Sequence, residues 1–229
     1  MKKIFLTLLS LTLFTGSVMA QEQQEQKEPQ DYKKWMVRVR GVGVVPNESA
    51  TIGTIGGGVS LSNSFIPELD FTYFFTKNIA AELILGTTKH NVNTTSSDLT
   101  AVGLPNSVDV DLGSVWLLPP TLMAQYHVYA GDVFKPYVGA GVNYTIFHSK
   151  KTGNTVQNVD YKNKFGYAFQ IGFDIDINDT FFINFDVKKI FLKTDVTVDA
   201  SNLAGGPLDI PADVTIDPLL LGFGVGMRF

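Results

Sequence analysis

The sequence predicts an all-β fold: an eight-stranded antiparallel transmembrane β-barrel with short periplasmic turns and long external loops. Three observations predict it. Segments of strand length alternate apolar and polar side chains with a period of two, where a helix would repeat at three and four. The connections between these segments are alternately tight and long. The last segment carries Leu219, Leu221, Phe223, Val225, Met227 and Phe229 on one face, with Leu220, Gly222, Gly224, Gly226 and Arg228 on the other. A continuous apolar face opposite glycine and charge suits a closing strand with lipid outside and a filled lumen inside.

The chain opens with Lys2 and Lys3, an apolar run from Ile4 to Phe14 and a small-residue cleavage site at Val18-Met19-Ala20, so residues 1–20 read as an export signal. That run is shorter than the roughly 20 apolar residues a spanning helix needs. Residues 21–33 are polar and rich in Gln and Glu, too poor in apolar surface to offset the entropy of ordering, and read as a flexible periplasmic leader. Residues 34–229 then form the outer-membrane barrel as one domain.

Within it, Trp35 to Val45 sets Val37 and Val39 against Arg38 and Arg40, and Ser64 to Phe75 sets Leu69, Phe71 and Tyr73 against Glu68, Asp70 and Thr72. Ile79 to His90 opposes Ala81, Leu83 and Leu85 to Ala80, Glu82 and Ile84, and Val115 to Tyr129 opposes Leu122, Ala124, Tyr126 and Val128 to Thr121, Met123, Gln125 and His127. Pro136 to His148 alternates Val138, Ala140, Val142 and Tyr144 with Gly139, Gly141, Asn143 and Thr145. Phe165 to Ile177 has an apolar residue at every odd position, and Phe181 to Phe191 carries Ile183, Phe185 and Val187 opposite Asn184, Asp186 and Lys188. The terminal strand is the eighth, and an even count suits a closed antiparallel barrel. Thr76 to Asn78, Ala130 to Lys135 and Asn178 to Thr180 are tight turns, whereas Pro46 to Asn63, Asn91 to Ser114, Ser149 to Lys164 and Leu192 to Val214 are long and read as external loops. Aromatics gather at the short-turn end (Tyr73, Phe75, Tyr126, Tyr129, Phe173, Phe181, Phe229) and toward the other end (Trp116, Tyr144, Phe165, Phe191), as headgroup girdles would.

The chain has 18 basic and 22 acidic residues and no cysteine. Disulfides, thiolate metal sites and a lipid-modified cysteine are excluded, and the acidic balance with no basic tract disfavours nucleic acid. A barrel of eight strands leaves an interior just wide enough for side chains or one small ligand, so an open porin is not expected. The inward positions Arg38, Arg40, Glu68, Asp70, Glu82, Asp174, Asp176, Asp186 and Arg228 form a candidate lumen charge network, because in a confined space such charges must neutralise one another. Pro119 and Pro120 sit inside a strand although proline gives no N–H to a ladder. They predict either a bulge that bends the wall or a weak seam in it.

The run Leu118-Pro119-Pro120-Thr121-Leu122-Met123-Ala124-Gln125-Tyr126, the run Lys135-Pro136-Tyr137-Val138-Gly139-Ala140-Gly141-Val142-Asn143-Tyr144-Thr145, and the ending Asp217-Pro218 with Gly226-Met227-Arg228-Phe229 resemble the OmpW family of small outer-membrane proteins. Arg38-Val39-Arg40-Gly41 and the region Asp70 to Asn78 add to the likeness, which spans the mature chain. The resemblance implies residence in the outer membrane of a Gram-negative bacterium and passive uptake of small hydrophobic molecules through a narrow, partly apolar lumen, with lateral exit near Pro119-Pro120. Ile84, Leu117, Leu118, Pro119, Pro120 and Met123 are then candidates for the ligand path. The expected partners are outer-membrane lipids, small hydrophobic molecules and the barrel-assembly machinery, which would read the C-terminal strand ending in Phe229; phage or colicin would attach at the loops.

The competing reading is a structural or receptor and adhesion barrel acting through its external loops. A soluble lipocalin-like barrel would be apolar inside, against the pattern of Phe165 to Ile177. Catalysis is not expected: His90, His127 and His148, with Ser96, Ser97, Asp98 and Ser149, show neither a nucleophile elbow nor a metal-binding helix motif. Gly53 to Gly58 lacks the strand-to-helix context of a phosphate cradle, and no cofactor or metal is implied.

Overall fold

The computed structural model describes residues 32–53, 55–100, 106–204 and 206–229. The expected export signal, and the leader as far as residue 31, lie outside the described residues. Among the described residues fifteen strands are present: β1 (Trp35–Val45), β2 (Ser49–Ile52), β3 (Gly58–Leu61), β4 (Ser64–Phe74), β5 (Ile79–Gly86), β6 (Thr88–Thr95), β7 (Asp111–Leu118), β8 (Thr121–His127), β9 (Phe134–Thr152), β10 (Asn158–Tyr161), β11 (Lys164–Asp176), β12 (Phe181–Phe191), β13 (Lys193–Asp199), β14 (Asp209–Thr215) and β15 (Leu219–Arg228). No helix among the described residues is long and apolar enough to cross a membrane.

Eight of these strands close the barrel. Antiparallel pairing runs β1–β4–β5–β8–β9–β11–β12–β15 and returns to β1. At the periplasmic end, Trp35 and Phe229 exchange both backbone hydrogen bonds, at 3.0 and 2.9 Å, joining the first strand to the last. Alternate residues face lipid, so Val39, Phe71, Leu83, Leu122, Val142, Phe169, Ile171, Val187, Leu221 and Val225 form an exposed apolar belt. Inside, glycines make room for rings: a Cβ at Gly172 would stand 2.5 Å from the Tyr137 ring, and one at Gly226 would stand 2.1 Å from Phe182.

The four long connections differ from the loops expected. Strand continues into each of them, and the wall splits upward into two sheets: β3–β6–β7 with the upper part of β9, and β10–β13–β14–β2. Alternation persists in them with its sense reversed. Val196 and Val198 of β13, Ile210 and Val214 of β14, and Val92, Leu112, Val115 and Leu117 of β6 and β7 are buried, while Lys89, Asn91, Asp209 and Asp213 face outward. Water rather than lipid surrounds this part, so the apolar side chains turn in.

Candidate functional site

The lower lumen is filled by charge. The Arg38 guanidinium donates from Nε to Asp70 at 2.7 Å and from Nη2 to Thr72 at 3.2 Å, and also binds Glu82. Arg40 Nη2 lies 2.8 Å from Glu68, 3.0 Å from Asp70 and 3.3 Å from Glu82, and its Nη1 is 3.6 Å from Asp186. Arg228 holds Asp174 at 2.6 Å and contacts Asp176, which also binds Lys135. Amides complete the carboxylates: Gln125 donates to Glu82 at 2.7 Å, Gln170 to Asp186 at 2.7 Å and Asn184 to Asp174 at 2.8 Å. Ionised side chains taken from water are tolerable only when paired in this way. Arg38, Asp70, Glu82 and Asp174 are 0% exposed within it.

Above the plug the interior is apolar. A narrow upper chamber between the two sheets encloses about 910 Å³ of atom-free space, its mouth included, bounded by Ile52, Val92, Leu112, Val115, Val196 and Val214 among others. A lower pocket follows, with about 610 Å³ of atom-free space, open solvent included, lined by Val44, Ile66, Ile84, Leu117, Ile190, Leu192, Ile216 and Leu220, with Glu68 and Lys188 beside the plug. His90, Leu117 and Ile216 line both, so the two spaces adjoin. His90 stands above the lipid level, its Nδ1 2.6 Å from the Ser62 carbonyl and its Nε2 3.0 Å from the Thr88 hydroxyl. The carbonyl can only accept, so Nδ1 carries the proton and Nε2 accepts from Thr88. Burial holds the imidazole below the ordinary histidine pKa.

The wall is interrupted beside the lower pocket. Strand β7 ends at Leu118 and β8 starts at Thr121, while β5 ends at Gly86 and β6 starts at Thr88. Pairing of β5 with β8 stops at Ile84 opposite Thr121, and that of β6 with β7 resumes at Thr88 opposite Leu117. Among the described residues this gap is bridged by Thr87 Oγ1, which donates to the Leu117 carbonyl at 3.1 Å. On its other flank the proline segment is held firmly: Tyr144 N donates to Pro120 O at 3.0 Å and Asn143 Nδ2 to Pro119 O at 3.1 Å. The prolines thus interrupt the strand; the register irregularities lie higher, at Val92/Asn93 and Ser114/Trp116.

The family model described as the OmpW family matches residues 33–229. The chain belongs to the OmpW family. It is 34% identical to Outer membrane protein W of Escherichia coli, with 100% of each chain covered. It is 31% identical to the Dibenzothiophene metabolism operon protein PahQ of Pseudomonas aeruginosa, over 76% of each chain. The crystal structure of the outer membrane protein OprG from Pseudomonas aeruginosa superposes with a TM-score of 0.76 at 26% identity, covering 88% of this chain and 99% of that one. The protein is an outer-membrane β-barrel, with membrane lipid against its apolar belt.

In this OmpW-family barrel Ile84, Leu117 and Pro119 line the lower pocket. Met123 is buried one step further down, with its sulfur 2.7 Å from where a Cβ of Gly141 would stand. Leu118 faces outward and is 37% exposed, because consecutive strand residues point to opposite sides and Leu117 already points in. Pro120 likewise falls outside the lining of either space. Every residue of the expected charge network lies in the plug, where Lys188 joins it. The inward register of Phe181 to Phe191 already marked Lys188. The upper chamber was missed because its strands carry the reverse of the lipid-facing pattern. The histidines are dispersed: His90 sits between the two spaces, His127 in the plug beside Gln125 at 3.0 Å, and His148 on the surface beside Ser149.

Proposed function

We propose that this barrel mediates passive uptake of small hydrophobic molecules. They enter the upper chamber from outside, pass His90 into the lower pocket, and leave sideways between the β5/β6 and β7/β8 breaks at Pro119-Pro120. The observation that carries the reading is the pair of adjoining apolar spaces that ends on a charged plug and lies beside an interruption in the wall. An apolar solute loses nothing by leaving water for such a lining, whereas entering the plug would desolvate ion pairs without replacing them. The Pseudomonas aeruginosa relative named for a dibenzothiophene metabolism operon fits an apolar, aromatic cargo. The conduit is non-catalytic in this reading, since both ring nitrogens of His90 are committed to Ser62 and Thr88. Action through external loops alone is the weaker reading, because the segments that would form those loops build a chamber instead.

The test replaces both prolines, Pro119→Ala with Pro120→Ala, in protein refolded into liposomes. Uptake of apolar compounds is expected to be abolished in a folded double variant as backbone N–H groups become available to close the ladder. Unchanged uptake in that variant would sink the lateral exit.

A further inference from the structure

Lys188 is the buried cation that neither the apolar path nor the tight ion pairs of the plug account for. It is 1% exposed and lines the lower pocket, where the apolar walls meet the plug. An ammonium has three donors, and charge-assisted bonds to carboxylates normally close to about 2.7–2.9 Å. Lys188 Nζ instead stands 3.4 Å from both oxygens of Glu68 and 3.7 Å from Asp186. Glu68 is already taken by Arg40 at 2.8 Å, and Asp186 by Gln170 at 2.7 Å. The other polar side chains of the pocket have no proton to spare. Thr121 donates to the Pro119 carbonyl at 3.0 Å, Thr145 to Asn143 Oδ1 at 2.7 Å, and Thr88 to His90. Among the described residues lining the lower pocket, the spare donor is therefore the Lys188 ammonium.

We propose that Lys188 forms a head-group subsite at the floor of the lower pocket. It selects amphiphiles with an apolar body and one uncharged oxygen acceptor, such as a ketone, aldehyde or ester, over the bare hydrocarbon. The lining contacts the body while the acceptor takes the loosely held N–H. An uncharged head fits better than a carboxylate, because Glu68, Asp70, Glu82, Asp174 and Asp186 already outnumber Arg38, Arg40, Lys188 and Arg228 around the plug. A retained polar head also positions the molecule beside the Pro119 interruption. The subsite rests on the uptake reading, since it presumes that apolar molecules reach the lower pocket.

The experiment titrates the full barrel in lipid nanodiscs with octane, 2-octanone and octanoate, and follows the amide resonances of Leu117 and Ile190 by NMR. Wild type and Lys188→Met are compared in the same lipid, so partitioning into the bilayer cancels in the ratio. A charge-assisted hydrogen bond predicts that Lys188→Met weakens 2-octanone about tenfold and leaves octane unchanged. The double variant Glu68→Gln with Lys188→Met, which removes one charge of each sign, should behave like the single one. An effect of Lys188→Met that is the same for octane and 2-octanone would overturn the subsite. Octanoate losing more affinity than 2-octanone on Lys188→Met would overturn its choice of an uncharged head. If none of the three shifts these amides, the uptake reading fails together with the subsite.

Discussion

Below Pro119 the wall is apolar outside and charged inside; above it the same chain is polar outside and apolar inside. Ile171 and Val187 face lipid there, with Gln170 and Lys188 inward, whereas Val196 and Val198 are buried above, with Asp195 and Thr197 on the outer side. Both halves are strands with a period of two, so secondary structure does not set the difference. The surrounding solvent does. Lipid accepts apolar side chains and leaves the polar ones to pair in the lumen, while water drives the apolar ones together. The reversal places an apolar pocket directly over an ion-pair plug, and the strand breaks at residues 86–88, 118–121 and 215–219 lie where the two patterns meet.

Mutations at matched positions sharpen that contrast. The largest effect is expected in the plug. Arg40→Met would strand Glu68, Asp70 and Glu82 with less counter-charge and cost about 3–5 kcal/mol, read as a lowered urea midpoint of the refolded barrel. Next come two outward substitutions: Ile171→Lys should cost about 2–4 kcal/mol in bilayers, and Thr197→Lys in the upper sheet should stay within about 0.5 kcal/mol. Equal costs for these two would break the idea that lipid ends below β13.

The strand breaks themselves make a finer comparison. At Leu192 and Pro218 the wall is stitched: Ile190 N donates to Pro218 O at 3.1 Å, Ile216 N to Leu192 O at 2.9 Å and Leu192 N to Asp217 Oδ1 at 2.8 Å. At Thr87 and Pro119 one hydroxyl spans the gap. Asp217→Ala, which orphans the Leu192 N–H, should therefore cost about 1–3 kcal/mol, and Thr87→Val about 1 kcal/mol or less. Hydrogen exchange at Leu192 and Thr87 would report the same ordering without mutation.

The smallest effect is a pH dependence confined to the upper half. His90 has a pKa held below its ordinary value of 6.5, so the folded state binds its proton less readily than the unfolded chain. Stability from this group is complete above the ordinary value and falls as pH drops through and below it. The unfolding midpoint should decline modestly between about pH 7.5 and about pH 5, and His90→Gln should flatten that decline.

The lower half was legible in the sequence because its two faces differ in chemistry at every step. Lys188 stood on the same inward register as Asp186, and only its loose geometry, which no sequence shows, sets it apart. The upper half was not legible as strand. Segments such as Lys193–Asp199 and Asp209–Thr215 are short, rich in Asp and Thr, and apolar on the side opposite to the one a membrane strand would use. Pro119 and Pro120 announced a broken strand, but which flank opens depends on Thr87 and Asn143, residues distant in sequence from the prolines. Leu118, next to the lining residue Leu117, faces the other way, which register rather than chemistry decides.

The proposed route takes apolar molecules through the upper chamber and sideways out of the barrel while the plug stays shut. The most direct test is uptake of a panel of small apolar compounds into liposomes containing the refolded protein, with single-channel recording on the same preparation. Compound-dependent uptake with little ion conductance is the predicted result. A demonstrably folded barrel that takes up none of them, or one whose ion conductance rises in step with uptake, would contradict it.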